Sequence, residues 1–550
     1  MKQILHSYAN GKTELIDVPC PCVKPGRVLV GTHVSLISAG TERMLTEFGS
    51  AGLLKKALRQ PDKVRMVLDK IRTDGLLPTW EAVKSQLDKP VAMGYCNVGT
   101  VVEVGAGVTE FQVGDRVVSN GPHAEFVCVG KNLCAKVPDD VSDESAVFTV
   151  IGSIALEAIR LAEPTLGESF AVIGLGLVGL MAVQLLKAHG CRVIGFDYSR
   201  ERVALAKTFG AEAVDLSTQR DPVAAARAFS RDRGIDGVLI AASTTSDAPI
   251  HQAAEMSRKR GRIVMLGVTG MQLSRADFYE KELSFQVSCS YGPGRYDAEY
   301  EEAGHDYPLP YVRWTEQRNF EAVLDRLAER QIDAEALISH RFELERADQA
   351  YALIGSSRPS LGVILRHCQK PQIHVSAVHH TVRRSDDAHR ASADATGPGV
   401  GFIGAGDFAT RVLIPAFRRG GARLAAVASE RGVSAVHAAR KFDIAESTTD
   451  PQTLIESPEV DVVVVATRHG SHADYVCRAL EAGKHVFVEK PLALNREQLS
   501  RVVERYQNTR SHGSPLLMVG FNRRFAPHVR TIKSLLKDAV HPLAEALPWA

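Results

Sequence analysis

Two glycine-rich turns of the same kind carry the most readable chemistry of this 550-residue chain. Gly174-Leu175-Gly176-Leu177-Val178-Gly179 follows the apolar run Ser169-Phe170-Ala171-Val172-Ile173, and Gly404-Ala405-Gly406-Asp407-Phe408-Ala409 follows Val400-Gly401-Phe402-Ile403. Each reads as strand, tight turn, helix. Glycine lets the backbone turn sharply and approach a pyrophosphate, and the first N–H groups of the helix attract the anion. One such turn is weak evidence, whereas two, each inside a strand–helix–strand pattern, point to two dinucleotide-binding modules in series. Asp197 ends Val193-Ile194-Gly195-Phe196-Asp197, at the offset of about 20 residues expected for an acid that accepts from ribose hydroxyls. A carboxylate there repels a 2′-phosphate and favours NAD, while Arg200 and Arg202 nearby leave NADP open. The matching strand of the second unit ends Val427-Ala428-Ser429-Glu430-Arg431. Ser429 stands where the acid would be, so the choice stays open there, with Arg431 a candidate phosphate partner.

The elements that position these turns follow from apolar periodicity. Residues 1–150 are rich in Val, Gly and short alternating runs, such as Arg27-Val28-Leu29-Val30-Gly31-Thr32-His33-Val34, and read as a compact β-rich domain. Within it, residues 44–88 have helical periodicity and many lysines and arginines, as expected for an inserted helical lobe. Strands alternate with helices over 151–300, with strands expected at 169–173, 191–196, 236–241, 261–266 and 284–288, which implies a parallel sheet covered on both faces. Residues 301–367 mix helix and strand. A mobile linker is expected over 368–398, rich in His, Ser, Asp and Arg. A second alternating unit occupies 399–537, with strands at 399–403, 423–428, 460–466, 485–489 and 516–520, followed by an irregular tail over 538–550.

The bulk numbers fit a soluble globular protein: 45% hydrophobic, 24% charged, net charge +2. Nothing in this balance calls for nucleic acid or an acidic membrane surface as partner. Runs such as Val460–Val465 are too short to cross a bilayer, and the N-terminus lacks the apolar core of a signal peptide. A cytoplasmic location is the expectation. The nine cysteines form no C-x-x-C pair and read as reduced thiols. His374, His379, His380 and His389 read as part of a solvated linker, not a metal site.

Residues 1–367 resemble the medium-chain dehydrogenase/reductase (alcohol-dehydrogenase-like) family, with its GroES-like β-rich domain and Rossmann domain. The resemblance rests on Gly99-Thr100-Val101-Val102-Glu103-Val104-Gly105-Ala106-Gly107-Val108, the Val113-Gly114-Asp115-Arg116-Val117 turn, the first glycine turn, and Arg341–Tyr351. It implies that 301–367 returns to the catalytic domain. The family's three zinc ligands align with Ala39, Tyr95 and a position near Ser153, and its structural zinc loop has no counterpart. Methyl, phenol and hydroxyl groups do not rebuild a site that needs three soft or borderline ligands, so catalytic zinc is not expected. Polarisation of a carbonyl or alcohol then falls to hydrogen-bonding side chains. Thr41, Glu42, Tyr95 and His123 are the candidates facing the cleft.

Residues 399–537 resemble the N-terminal Rossmann domain of the glucose–fructose oxidoreductase/inositol dehydrogenase (Gfo/Idh/MocA) family. The carriers are Gly401–Ala409, Ala466-Thr467-Arg468-His469-Gly470-Ser471-His472-Ala473, the run Ala482–Pro491 ending Glu489-Lys490-Pro491, and Val519–Phe525. The resemblance implies that Lys490 lies beside the nicotinamide and stabilises developing alkoxide, with Pro491 fixing the backbone and Glu489 at the cofactor edge. Cofactor binding is then assigned to Gly174, Gly176, Gly179, Asp197, Gly404, Gly406, Ala409, Glu489 and Pro491. Family members continue into a large antiparallel-sheet domain. Only 60 residues follow Lys490 here (550 − 490), as in a shortened version of a longer two-enzyme chain.

The expected fold is therefore α/β: a GroES-like domain with a Rossmann domain, then a second Rossmann domain after a flexible linker. The expected function is NAD(P)-dependent hydride transfer at an alcohol or carbonyl of a sugar or nucleotide-sugar, by resemblance to bi-domain enzymes of surface-polysaccharide metabolism. NAD or NADP binds at up to two sites per chain. A zinc-free quinone or enone reductase and a non-catalytic dinucleotide-sensing or scaffold protein are the alternatives. Self-association is expected, because a second module without its sheet domain exposes apolar surface.

Overall fold

The structure is a computed structural model. It describes residues 1–50, 83, 87–356, 358–367, 379–384, 397–509 and 515–536. Most of the expected helical lobe at 44–88 and the whole tail at 538–550 lie outside the described residues, although the helix Ala39–Ser50 is seen at the start of the lobe. The chain divides into two compact units, Met1–His379 and His380–Ala550.

In the first unit, valine-rich segments build a seven-stranded sheet around the long strand Arg27–Ser38, whose residues are nearly all buried. Asn97–Val104 pairs with it antiparallel along one edge, and Arg116–Ser119 and Cys134–Lys136 extend the sheet. Phe126–Gly130 pairs with the N-terminal half of the long strand, and Gly362–Arg366 pairs with its C-terminal half. The strand Ile338–Glu343 lies outside Gly362–Arg366. The C-terminal segment thus completes the sheet that the N-terminal residues begin. A smaller sheet joins Lys2–Ser7 to Thr13–Asp17 and Pro90–Ala92.

Between these parts lies a six-stranded parallel sheet. Numbered along the chain, its strands run Ser169–Ile173, Arg192–Asp197, Glu212–Asp215, Ile235–Ile240, Ser257–Met265 and Ser284–Val287, in spatial order 3-2-1-4-5-6. That is the order of a dinucleotide-binding sheet. All five residues of the first strand are buried, as parallel strands covered on both faces require. The segment Asp143–Ala162 is long and apolar enough to cross a bilayer, yet 72% of its apolar window is buried inside this unit. It acts as a core helix in an apolar cluster that runs from Val34, Leu36 and Val98 to Phe170, Val172 and Leu175. The segment after Val287, including the helices Ala298–Glu301 and Glu316–Ala328, adds polar ties between the β-rich and Rossmann domains. Asn120 Nδ2 donates to Tyr291 Oη (3.0 Å), Asn132 Nδ2 to Tyr300 O (2.8 Å), and Gln317 Nε2 to Lys131 O (2.9 Å) and Cys134 O (2.8 Å).

The second unit repeats the parallel order: Gly399–Ile403, Arg423–Ala428, Glu446–Thr448, Val462–Val465, His485–Glu489 and Leu517–Gly520, again 3-2-1-4-5-6 in space. One expectation is corrected. Thr381–Arg383, inside the segment read as linker, is an antiparallel edge strand on Glu446–Thr448. His380 O accepts from the Thr449 N–H at 2.9 Å, so this histidine belongs to the sheet margin. The short strands Glu212–Asp215 and Glu446–Thr448 were not expected from the periodicity; both are four residues or fewer and partly polar.

Candidate functional site

The first glycine turn is shaped by close backbone contacts. Gly174 has φ +94°, and a β-carbon on it would come within 2.7 Å of Ala242 N. Its N–H donates to Phe196 O at 2.8 Å, joining the turn to the second strand. Gly176 caps the helix Leu177–Ala188 and faces open space, while a β-carbon on Gly179 would meet Gly174 O at 2.0 Å. One glycine makes the turn, one leaves room for a phosphate, and one permits close helix–strand packing, as a dinucleotide fingerprint requires. Asp197 Oδ2 accepts from the Leu175 N–H (2.7 Å) and Oδ1 from the Ser199 N–H (2.8 Å). The carboxylate is thereby oriented at the strand end beside the turn. Arg202 Nη1 lies 3.9 Å from Asp197 Oδ2.

The positions that align with the family's zinc ligands are distributed as follows. Ala39 opens the helix Ala39–Ser50, Tyr95 packs on the apolar cluster that joins the β-rich domain to the Rossmann sheet, and Ser153 is buried and donates to Thr149 O at 2.9 Å. The chemistry of this donor set does not fit zinc. Among the described residues, no group of three His, Cys, Asp or Glu side chains is placed to hold a metal ion.

Of the four cleft candidates, the structure brings together half-buried Tyr95 and exposed Thr41. Tyr95 Oη lies 3.4 Å from the Oγ1 of exposed Thr41. Burial pushes the Tyr95 phenol well above its ordinary pKa, so it stays protonated at neutral pH. Glu42 and His123 were expected in the cleft, but both are fully buried. Glu42 accepts from the Ser38 N–H (3.1 Å) and from Tyr351 Oη, and lies 3.3 Å from His123 Nε2. His123 Nδ1 sits 2.8 Å from Ser35 Oγ, and its ring lies so close to Gly94 that a β-carbon there would come within 2.6 Å. The pair braces the segments that carry Thr41 and Tyr95. A glutamate at the first turn of a helix that follows directly on the buried strand Arg27–Ser38 is drawn inward, which the sequence pattern alone does not reveal.

The second turn repeats the first. Gly404 has φ +108° and donates to Ala428 O at 2.9 Å, Gly406 faces open space, and Ala409 is buried at the helix start. Ser429 Oγ accepts from the Ala435 N–H at 3.0 Å, so the side chain caps the following helix. Lys490 is exposed at the end of His485–Glu489. Burial raises the Glu489 carboxyl, and this side chain packs against Gly520, where a β-carbon would approach Oε1 to 2.8 Å. Pro491 O is held by His472, a residue the sequence reading gave no role.

Comparison with known proteins agrees with this geometry. Residues 70–157 match the alcohol dehydrogenase GroES-like domain, 178–304 the zinc-binding dehydrogenase family, and 399–520 the oxidoreductase family with NAD-binding Rossmann fold. An (R,R)-butanediol dehydrogenase of Bacillus subtilis is 30% identical over 233 residues, 37% of this chain and 66% of that protein. The chain thus spans just under two thirds of that relative. A sorbitol dehydrogenase of Halalkalibacterium halodurans is 25% identical over 303 residues, 48% of this chain and 81% of its own. Galactitol-1-phosphate dehydrogenase of Escherichia coli shares the fold, with TM-score 0.52 and 20% identity over 66% of this chain and all of that one. The chain thus carries, in order, a segment matching the medium-chain dehydrogenase/reductase arrangement of GroES-like and Rossmann domains and a segment matching the Gfo/Idh/MocA NAD-binding Rossmann domain.

A prediction follows from the two open glycines. In calorimetric titrations the intact protein takes up two NADH or NADPH per chain, and Gly176→Asp and Gly406→Asp each remove one, because a carboxylate would face the pyrophosphate. A single site lost only with Gly176→Asp would leave the second turn without a cofactor.

Proposed function

We propose that the first module is a zinc-independent NAD(P)-dependent dehydrogenase that interconverts an alcohol and a carbonyl on a polyhydroxylated small molecule, a sugar or nucleotide-sugar. The observation that carries this reading is the Tyr95–Thr41 hydroxyl pair, 3.4 Å apart, at a position where zinc-dependent relatives place a metal ligand. When bound, the nicotinamide accepts or donates the hydride. Asp197 and the Gly174–Gly179 turn hold the dinucleotide. In the reductive direction, Tyr95 Oη and Thr41 Oγ1 donate to the substrate oxygen and stabilise its developing charge. As the new C–H bond forms and the carbonyl π bond breaks, Tyr95 supplies the proton to oxygen and regains one from solvent through exposed Thr41. Oxidation reverses each transfer. The polyol class is supported by the sorbitol dehydrogenase similarity, and NAD is favoured over NADP by Asp197.

The reading is tested by screening polyols, hexoses, nucleotide-sugars and acetoin with NAD(H) and NADP(H), before and after dialysis against a chelator. We expect turnover of a hydroxylated substrate whose rate is unchanged by chelation. Activity restored only by added zinc would overturn the metal-free assignment. Two bound dinucleotides with no turnover in the whole screen would instead favour a sensing or scaffold role, and turnover of enones or quinones alone would move the reaction to double-bond reduction.

A further inference from the structure

In a doubly wound sheet the dinucleotide lies across the C-terminal strand ends where the strand order reverses, one nucleotide half over each half of the sheet. In the second unit the pyrophosphate belongs to the Gly404–Ala409 turn after the first strand, and the adenosine ribose to Ser429 at the end of the second. The nicotinamide half then falls over the ends of the fourth and fifth strands, Val462–Val465 and His485–Glu489. The residues that leave those strands are Ala466-Thr467 and Lys490-Pro491. Ala466 already adjoins the glycine turn, since a β-carbon on Gly404 would lie 2.5 Å from its carbonyl oxygen.

One buried side chain ties these two strand ends together. His472 begins the helix His472–Glu481 and is fully buried. Its Nδ1 lies 2.7 Å from Pro491 O and its Nε2 lies 3.1 Å from Thr467 O. Both partners are backbone acceptors, so a neutral ring satisfies one of them and an imidazolium satisfies both. The His469 ring packs edge-on at 5.7 Å.

We propose that His472 is a positioning residue for the nicotinamide half of a dinucleotide bound at the second module. It touches no cofactor itself. By fixing the carbonyls of Thr467 and Pro491 it sets the spacing between the two strand ends and the place from which exposed Lys490 projects. The inference rests on dinucleotide binding at the second turn and is independent of the chemistry proposed for the first module.

The test uses the full chain carrying Gly176→Asp, which silences the first site where the new side chain enters open space. NADH and ADP-ribose are titrated by calorimetry; ADP-ribose keeps the adenosine and pyrophosphate but lacks nicotinamide. His472→Ala is expected to weaken NADH binding about ten-fold or more, some 1.4 kcal/mol, while ADP-ribose affinity changes less than two-fold. His472→Asn, which keeps one donor, should recover part of the loss and covers the case in which the alanine variant does not fold. Equal weakening of both probes would reduce His472 to a general structural residue and overturn the proposal, as would unchanged NADH affinity. A Gly176→Asp protein that binds neither probe would refute the second-site reading itself, and the proposal with it, whereas probe binding abolished by Gly406→Asp confirms which site is being read.

Discussion

Tyr95→Phe lowers kcat for carbonyl reduction by about 10²–10³-fold, the usual cost of removing one preorganised donor to a developing oxyanion, and leaves NADH affinity unchanged. The ring survives the substitution, so its packing on the apolar cluster between the β-rich and Rossmann domains is kept. What disappears is the hydroxyl beside Thr41. The phenol enters the reaction protonated, so it donates to the substrate oxygen, an interaction that strengthens as charge develops, and then gives that oxygen its proton. Loss should therefore appear in kcat and kcat/KM together rather than in KM alone. Steady-state kinetics on the substrate found in the screen, with NADH affinity measured separately, checks this. A raised KM at constant kcat would mean that Tyr95 only binds substrate. Unchanged kinetics would remove it from the site.

The second large effect concerns stability. Glu316 opens the helix Glu316–Ala328 and is fully buried, and among the described residues no donor reaches either of its carboxyl oxygens. Burial first, and the nearby Glu301 carboxylate second, push its pKa up to about 9; Arg295, which donates to Glu301 at 2.5 Å, opposes the shift. The unfolded chain gives up this proton near the ordinary carboxylate value and the folded chain only near 9. Between those limits the native state binds more protons, so stability falls as pH rises. At 1.36 kcal/mol per pH unit the penalty reaches about 3 kcal/mol at pH 7. Glu316→Gln removes the titration while keeping the shape. The variant and the parent should match near pH 4.5, and the variant should be the more stable by about 3 kcal/mol at pH 7, with the gap growing up to pH 9. Calorimetric unfolding of the first module at pH 5, 7 and 9 measures this difference. Parallel pH profiles for the two proteins would show that the folded carboxyl ionises normally.

The parts of the fold that were legible in the sequence are those set by local sterics and apolar periodicity. Gly174 and Gly404 announce themselves because a left-handed residue after a buried strand admits little else, and valine runs such as Val462–Val465 read as strands because both faces are covered. Thr381–Arg383 did not read as structure: three residues among polar neighbours acquire strand character only from Glu446–Thr448 beside them. Glu42 illustrates the limit at the site. Its residue type suggested cleft chemistry, yet its partners Ser38, His123 and Tyr351 lie 4, 81 and 309 positions away. The Glu301–Glu316 neighbourhood and the grip of His472 on Pro491 likewise arise from tertiary juxtaposition, for which local spacing carries no signal.

The pairing of Gly362 with Ser38 also bears on how the chain is made. Ribosomes add roughly 5–20 residues per second, so the C-terminal half of the strand Arg27–Ser38 leaves the exit tunnel many seconds before the segment that will cover its open edge exists. During that interval the complete Rossmann sheet is synthesised while the domain that precedes it stays unclosed. An uncovered apolar strand edge is a template for pairing with other chains. The nascent first module therefore needs protection from its neighbours on the polysome until residue 366 emerges, whereas the second module, contiguous in sequence, can close as soon as it is made.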